Sequence, residues 1–301
     1  MKIKSTFKRL FFRIINPTFF FSPNEGLNSL ILKINIYFFF YKKEKLKYIK
    51  EIDFLNNIIH QNNSLSYVFP YEFSLNFDPS SISVYLDSDK QMFYVYHNKK
   101  KLFYPKSYLS KKQVSVNYLC TLIEQNKASP HRYLSQDFDV NNGDVVLDIG
   151  AAEGNFALDV VEKASKVYIF EPDPKWKEAL ESTFEPWAHK VSIITKYVSD
   201  IDNIDTITLD AYFKDVSVNF IKIDAEGYEF KILKKANNLL KFSKFPKLLV
   251  CTYHNNSDAH QISYFLSCLG FNISFTNGYM LFIHKNLSPP YFRHGILKAN
   301  R

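Results

Sequence analysis

The sequence predicts an α/β protein. Its C-terminal half reads as a doubly wound, mostly parallel sheet with a C-terminal antiparallel hairpin strand, preceded by an N-terminal region of helices and a β-hairpin. Three observations carry this. From Asp144 onward, short continuous apolar runs alternate with helical patterns of about 10–15 residues, the texture of buried parallel strands joined by crossover helices. The first run, Val145-Val146-Leu147-Asp148-Ile149, leads straight into a glycine-containing turn at Gly150. Near the end, Asn277-Gly278 separates two short apolar runs, a strong hairpin signal.

Composition narrows the alternatives. The chain has 301 residues, of which 46% are hydrophobic and 23% charged, too apolar for a disordered chain and long enough for one large domain or two smaller ones. Eight glycines exclude collagen-like and Gly-rich linker architectures. Cys120, Cys251 and Cys268 are too few and too scattered for a disulfide framework or a thiolate metal site, so a reducing, cytoplasmic setting is expected.

The net charge of +8 is concentrated at the start. Residues 1–60 hold eleven Lys and Arg against four acids, so the body is nearly neutral and a nucleic-acid footprint is not expected. The most apolar stretch, Leu27–Tyr41, contains Lys33 and Asn35 and falls short of the roughly 20 residues that a bilayer core requires. Phe7–Phe21 is broken by Arg9, Arg13 and Pro17, so a signal peptide is not expected either. Two readings of this basic, aromatic arm stay open: a helix packed on the body with its lysines in water, or a segment lying peripherally on the inner face of an anionic membrane.

In chain order, residues 27–60 read as helix, ended by the polar stretch Asn62–Ser66. Residues 82–105 read as a hairpin, with Ile82, Val84 and Leu86 on one apolar face and Met92, Tyr94 and Tyr96 beyond an Asp87-Ser88-Asp89-Lys90 turn. A helix is predicted over 113–127, stopped before Ser129-Pro130. Further strands are predicted at Val145–Ile149, Val167–Phe170, Val191–Val198, Phe220–Ile223, Leu248–Tyr253, Asn272–Thr276 and Tyr279–Ile283. Helices are predicted at 155–164, Pro174–Trp187, 229–241 and 258–269, the last closed by Gly270. The expected division is an N-terminal region, 1–120, capping the crevice, and a nucleotide-binding domain, 121–301.

Asp148-Ile149-Gly150-Ala151-Ala152-Glu153-Gly154 joins the first strand of the second half to its helix. Gly150 allows a sharp turn where a Cβ would collide, Gly154 with Ala151 and Ala152 lets a ligand approach the backbone closely, and the helix start offers free N–H donors. Glu171 ends the next strand, placed to accept both hydroxyls of a ribose. A dinucleotide site uses G-x-G-x-x-G, with a middle glycine that makes room for pyrophosphate; here that position is Ala152. Asp148 and Glu153 would repel phosphate and suit an ammonium or sulfonium cation. S-adenosylmethionine carries both cations and no phosphate. Asp200, after the third strand, either accepts the adenine amino group or caps a turn beside Ser199.

Phe220-Ile221-Lys222-Ile223-Asp224-Ala225-Glu226-Gly227-Tyr228-Glu229 is the most distinctive segment. It ends a strand at the carboxyl edge, where open α/β sheets bind ligands. The next strand ends at Cys251-Thr252-Tyr253-His254 on the same edge. His254, oriented by Asp224, is the candidate general base for an acceptor hydroxyl, with a structural histidine as the alternative. Glu226 is either part of that site or a helix N-terminal acid. A divalent cation held by Asp224, Glu226 and His254 stays open, although no tight metal-ligand spacing supports it.

These motifs, together with Phe170-Glu171-Pro172 and Thr206-Ile207-Thr208-Leu209-Asp210, make residues 125–285 resemble the FkbM family of S-adenosylmethionine-dependent methyltransferases. The resemblance implies a class I methyltransferase (Rossmann-like) fold and methyl transfer to oxygen, usually on sugars or other natural products. It implies cofactor roles for Asp148, Gly150 and Glu171, and places Asp224 and Glu226 in the family's acidic motif. Many members carry an acid two residues before the histidine of the fifth strand, where this chain has Thr252. Arg132, in Ser129-Pro130-His131-Arg132-Tyr133, is either a clamp for a carboxylate or a surface residue.

The expected function is therefore methylation of a sugar hydroxyl on a glycan or glycosylated precursor in bacterial surface-polysaccharide synthesis. One rival is a nucleotide-sugar oxidoreductase, disfavoured by Ala152 and by the lack of a Tyr-x-x-x-Lys motif after the fourth strand. The other is a non-catalytic module acting through residues 1–60.

Overall fold

Val145–Ile149 is a run of five residues with only one polar side chain, and it forms an interior strand of a seven-stranded sheet. A computed structural model describes residues 27–59, 69–75, 78–214, 216–244, 246–281 and 287–301. The expectations for Phe7–Phe21 and Asn62–Ser66 lie outside them.

The N-terminal helices are α1 (Leu27–Phe40), α2 (Lys42–Lys45) and α3 (Ile49–Ile59). A small antiparallel sheet follows: β1 (Tyr85–Asp87), β2 (Met92–His97) and β3 (Lys100–Phe103). It leads to α4 (Lys111–Glu124), whose start is fixed by a capping box between Ser110 and Gln113. The larger unit then runs β4 (Val145–Ile149), α5 (Asn155–Val160), β5 (Lys166–Phe170), α6 (Lys177–Phe184), β6 (Val191–Ile194), β7 (Tyr197–Val198), β8 (Thr206–Ile207) and α7 (Leu209–Tyr212). It continues with β9 (Phe220–Ile223), α8 (Glu229–Lys235), α9 (Asn237–Phe242), β10 (Lys247–Cys251), α10 (Asp258–Cys268), β11 (Asn272–Phe275) and β12 (Ile296–Asn300).

The sheet order is β11-β12-β10-β9-β4-β5-β6, parallel throughout except for β12. From β4 the chain builds β5 and β6 to one side and then β9 and β10 to the other. The carboxyl ends of β4 and β9 thus meet at the reversal of strand order, where such sheets hold ligands. Apolar side chains fill both faces. Val146, Phe156, Val167 and Phe220 lie in one buried cluster, and Leu147, Ile149, Ile221 and Ile223 in the other. Met92, Val95, Leu102 and Val114 of the small sheet and α4 share the first cluster, so the N-terminal strands are packed into the main core.

Four expectations need correction. The antiparallel strand next to β11 is not Tyr279–Ile283 but the C-terminal Ile296–Asn300, which inserts between β10 and β11. Met280 makes one isolated bridge to Arg293, and residues 282 and 283 lie outside the description. Val191–Val198 is not one strand: it breaks after Ile194, and Tyr197–Val198 pairs instead with Thr206–Ile207. The helix read over 229–241 divides at Ala236 into α8 and α9. Finally, Ile82, Val84 and Leu86 do not form one buried face, because Val84 is buried while Leu86 is exposed.

Candidate functional site

The loop after β4 is tied to the end of β9 by Gly150. Its φ is +72°, and a Cβ there would lie 1.8 Å from the Asp224 carbonyl oxygen. Only glycine allows this contact. Ala152 and Glu226, both non-glycine, also adopt left-handed backbone (φ 45° and 51°) in the two loops that flank the crevice, a local strain that clusters at functional sites. Glu171 secures the first loop from the neighbouring strand: its Oε2 accepts the Ala152 N–H at 2.7 Å and its Oε1 the Asp173 N–H at 2.8 Å. Each oxygen keeps a further lone pair for a ligand hydroxyl.

These loops surround a cavity of about 870 Å³. Gly150, Glu171 and Asp200 line it, as do Asp224 and Glu226. With Asp173, five carboxylates face Lys196 and Lys231 around the rim, and Trp176 offers an aromatic wall. The negative lining expected from the sequence is thus present, but it is built differently.

Asp148 and Glu153, the acids expected to supply it, do not line this cavity. Asp148 is wholly buried and paired with Lys222, whose Nζ lies 3.0 Å from Oδ1 and also donates to the Gly150 carbonyl at 2.6 Å. Burial would lower the Lys222 ammonium, but the Asp148 and Asp224 carboxylates raise it. Asp148 itself is pushed up by burial against the pull of Lys222. Glu153 turns toward α4 and accepts the Thr121 hydroxyl at 2.7 Å. Ala151 is buried, and Gly154 faces Leu180 and Phe184, so both shape the loop from behind. Arg132 is not at this cavity either; its Nε donates to the Leu134 carbonyl.

At the reacting edge, Asp224 is held by residues that the sequence reading passed over. The Tyr133 hydroxyl donates to its Oδ2 at 2.9 Å and the Tyr253 hydroxyl to its Oδ1 at 3.2 Å. His131 Nε2 lies 3.6 Å from Oδ2 and 3.1 Å from the Tyr253 hydroxyl. Burial works to raise the Asp224 carboxyl, but His131, Lys222 and His254 together hold it well below the usual carboxylate range. His131 and Tyr133 flank Arg132 in the pentapeptide Ser129–Tyr133, and of these three it is His131 and Tyr133 that reach Asp224.

His254 is oriented by Glu229, not by Asp224. Its Nδ1 lies 2.9 Å from Glu229 Oε1, whereas Nε2 is 3.7 Å from Asp224 and 3.6 Å from Glu226. Glu229 is fully buried, and its Oε1 also accepts the Ala225 and Gly227 N–H groups. Burial would lower the His254 imidazole, but Glu229 raises it. Glu229 thus occupies the role of an acid within the strand, and Thr252 instead donates its hydroxyl to the His294 and Gly295 carbonyls. Among the described residues, two groups bring potential metal-ligand atoms within 4.8 Å of one another, Asp224 with Glu229 and His254, and His131 with Asp224 and Cys251. The first group is held by the contacts just described, and in the second Cys251 Sγ lies 3.8 Å from His131 Nε2.

Residues 185–273 match the model of the Methyltransferase FkbM domain. That stretch of the chain is similar to the FkbM methyltransferase domain. The matched stretch of the FkbM domain takes in Asp224, Glu226, Glu229 and His254, while the loop after β4 precedes it. No curated protein matches the chain. Solved structures similar to it include methyltransferase FkbM from Methylobacillus flagellatus KT, 18% identical, covering 63% of this chain and 54% of that one at a TM-score of 0.46. This chain therefore spans about half the length of that protein. Precorrin-6y C5,15-methyltransferase from Geobacter metallireducens GS-15 is 12% identical, with coverages of 55% and 84% and a TM-score of 0.38. A Streptococcus mutans protein in complex with SAH is 13% identical, with coverages of 54% and 90% and a TM-score of 0.36.

Proposed function

We propose that this chain binds S-adenosylmethionine in the cavity between β4, β5 and β9 and methylates a hydroxyl of a sugar or glycoconjugate in polysaccharide synthesis. The observation that carries the reading is the cavity's charge: five carboxylates against two lysines, at a strand-to-helix turn that lacks the middle glycine of a pyrophosphate loop. That lining favours a cationic ligand over a phosphate. The residues fit such a cofactor, because Glu171 retains acceptor capacity for ribose hydroxyls and Trp176 gives a flat apolar surface beside it.

Bound there, S-adenosylmethionine supplies an electrophilic methyl group. The chain supplies the rest. Glu229 fixes the His254 ring through Nδ1, leaving Nε2 as the atom that takes the proton of an acceptor hydroxyl as the O–CH3 bond forms. Asp224, kept ionised by its neighbours, favours the imidazolium that results. Tyr133, Tyr253 and His131 hold Asp224 in place.

Calorimetric titration with S-adenosylmethionine and with NAD, followed by labelled methyl transfer to sugar acceptors, tests this. Micromolar binding of S-adenosylmethionine and labelled, alkali-stable ethers are expected. Binding of NAD alone would point to an oxidoreductase and overturn the proposal.

A further inference from the structure

Helix α1 is apolar on two opposite sides. Leu30, Ile31, Ile34 and Phe38 are buried against α3 and the C-terminal segment through Leu281, Tyr291 and Phe292. At 100° per residue, Leu32, Ile36 and Phe39 form a second stripe diametrically across the helix. On it Leu32 is 60% and Phe39 67% exposed. A helix that is hydrophobic all round normally has apolar surroundings on every side. Among the described residues, only one side has the protein core.

The polypeptide that follows α1 is rich in exposed lysine. Lys42, Lys43, Lys47 and Lys50 are exposed, interleaved with Leu46 at 74% exposure and Ile49. Lys42 Nζ sits 5.8 Å from the Phe39 ring centre, at the margin of the stripe. The acids nearby are withdrawn: Glu44 accepts the Tyr37 hydroxyl, and Glu51 is buried on Tyr71. Asp53 is the one exposed acid among the described residues of this helical layer.

We propose that the Leu32–Ile36–Phe39 stripe and its lysine margin dock the protein on an anionic lipid bilayer. Exposed aromatic and aliphatic side chains bordered by lysines are what a bilayer interface with acidic headgroups selects. A second copy of this chain fits less well, because a two-fold contact through this patch would set its own lysines against each other. No helix among the described residues is long and apolar enough to cross a membrane, so the contact is peripheral. It would also bring the reacting edge close to the lipid surface. Phe292 belongs to the cluster beneath α1, and the next residue, Arg293, donates to the backbone carbonyls of Tyr253 and His254.

The test is flotation of the full-length protein with vesicles of phosphatidylcholine alone and of phosphatidylcholine with phosphatidylglycerol. Association only with the anionic vesicles, weakened by added salt, is expected. The double variants Leu32→Ser/Phe39→Ser and Lys42→Glu/Lys43→Glu should each abolish flotation while leaving the melting temperature and the gel-filtration volume unchanged, since each lysine lost near an anionic surface weakens binding about fivefold. Absence of flotation by the wild type, or flotation unaffected by both variants, would overturn the proposal. So would a wild-type dimer that the Leu32→Ser/Phe39→Ser variant dissolves, which would make the occupant a second copy.

Discussion

Glu229 holds His254 from the first turn of α8: its Oε1 is 2.9 Å from Nδ1, and the same oxygen caps the Ala225 and Gly227 N–H groups. One carboxylate therefore shapes the loop after β9 and sets the ring that ends the next strand. His254 and the acidic segment after β9 are thereby built as one unit. A catalytic reading of His254 leads to the expectation that His254→Ala lowers kcat about 10²- to 10⁴-fold while cofactor affinity, measured by calorimetry, stays within about twofold.

The Glu229 contact also fixes the pH profile. A general base acts in its neutral form, so the rate should rise with pH through the His254 pKa, which Glu229 raises. Glu229→Gln removes that charge. The rising limb of kcat should then move to lower pH, with a lower plateau because the ring is held less firmly. An unmoved limb would mean that the titrating base is another group.

Lys222 and Asp148 form a buried pair beneath the glycine loop. Lys222→Met alone should destabilise the fold by about 3–5 kcal/mol, because a buried carboxylate is left uncompensated. Adding Asp148→Asn should recover much of that loss. A double-mutant cycle of urea melts reads the coupling directly; additive losses would show that the pair contributes nothing jointly.

Gly150→Ala places a methyl group against the Asp224 carbonyl oxygen at a positive φ. The loop after β4 and the end of β9 must separate to admit it. The expected result is a stability loss of more than about 1 kcal/mol, seen as a lower melting temperature, and loss of S-adenosylmethionine binding in calorimetry.

Glu171→Ala removes the acceptor of the Ala152 and Asp173 N–H groups and the proposed ribose contact together. Hydrogen bonds to a charged group contribute about 1.5–3 kcal/mol, so the Kd for S-adenosylmethionine should rise roughly 10- to 100-fold. An unchanged Kd would place the ribose elsewhere.

The sequence by itself determined the elements with a strong local signature. The apolar runs of β4, β5 and β9 were readable because a strand covered on both faces is apolar throughout. The glycine turn, Glu171 and the acidic segment after β9 were readable because ligand sites on such sheets fall at strand ends. Only the tertiary structure decided which charges face the cavity. Asp148 and Glu153 looked like its lining from the loop alone, but Lys222, distant in sequence, takes up the first, and Thr121 takes up the second. The choice of Glu229 over Asp224 as the partner of His254 depended likewise on the direction of side chains from two loops. So did the strand beside β11: the Asn277-Gly278 signal was local, whereas Ile296–Asn300 won the position between β10 and β11 by pairing with both. Local sequence sets the propensity for a strand or a turn; which carboxylate meets which cation is settled by contacts between residues dozens of positions apart.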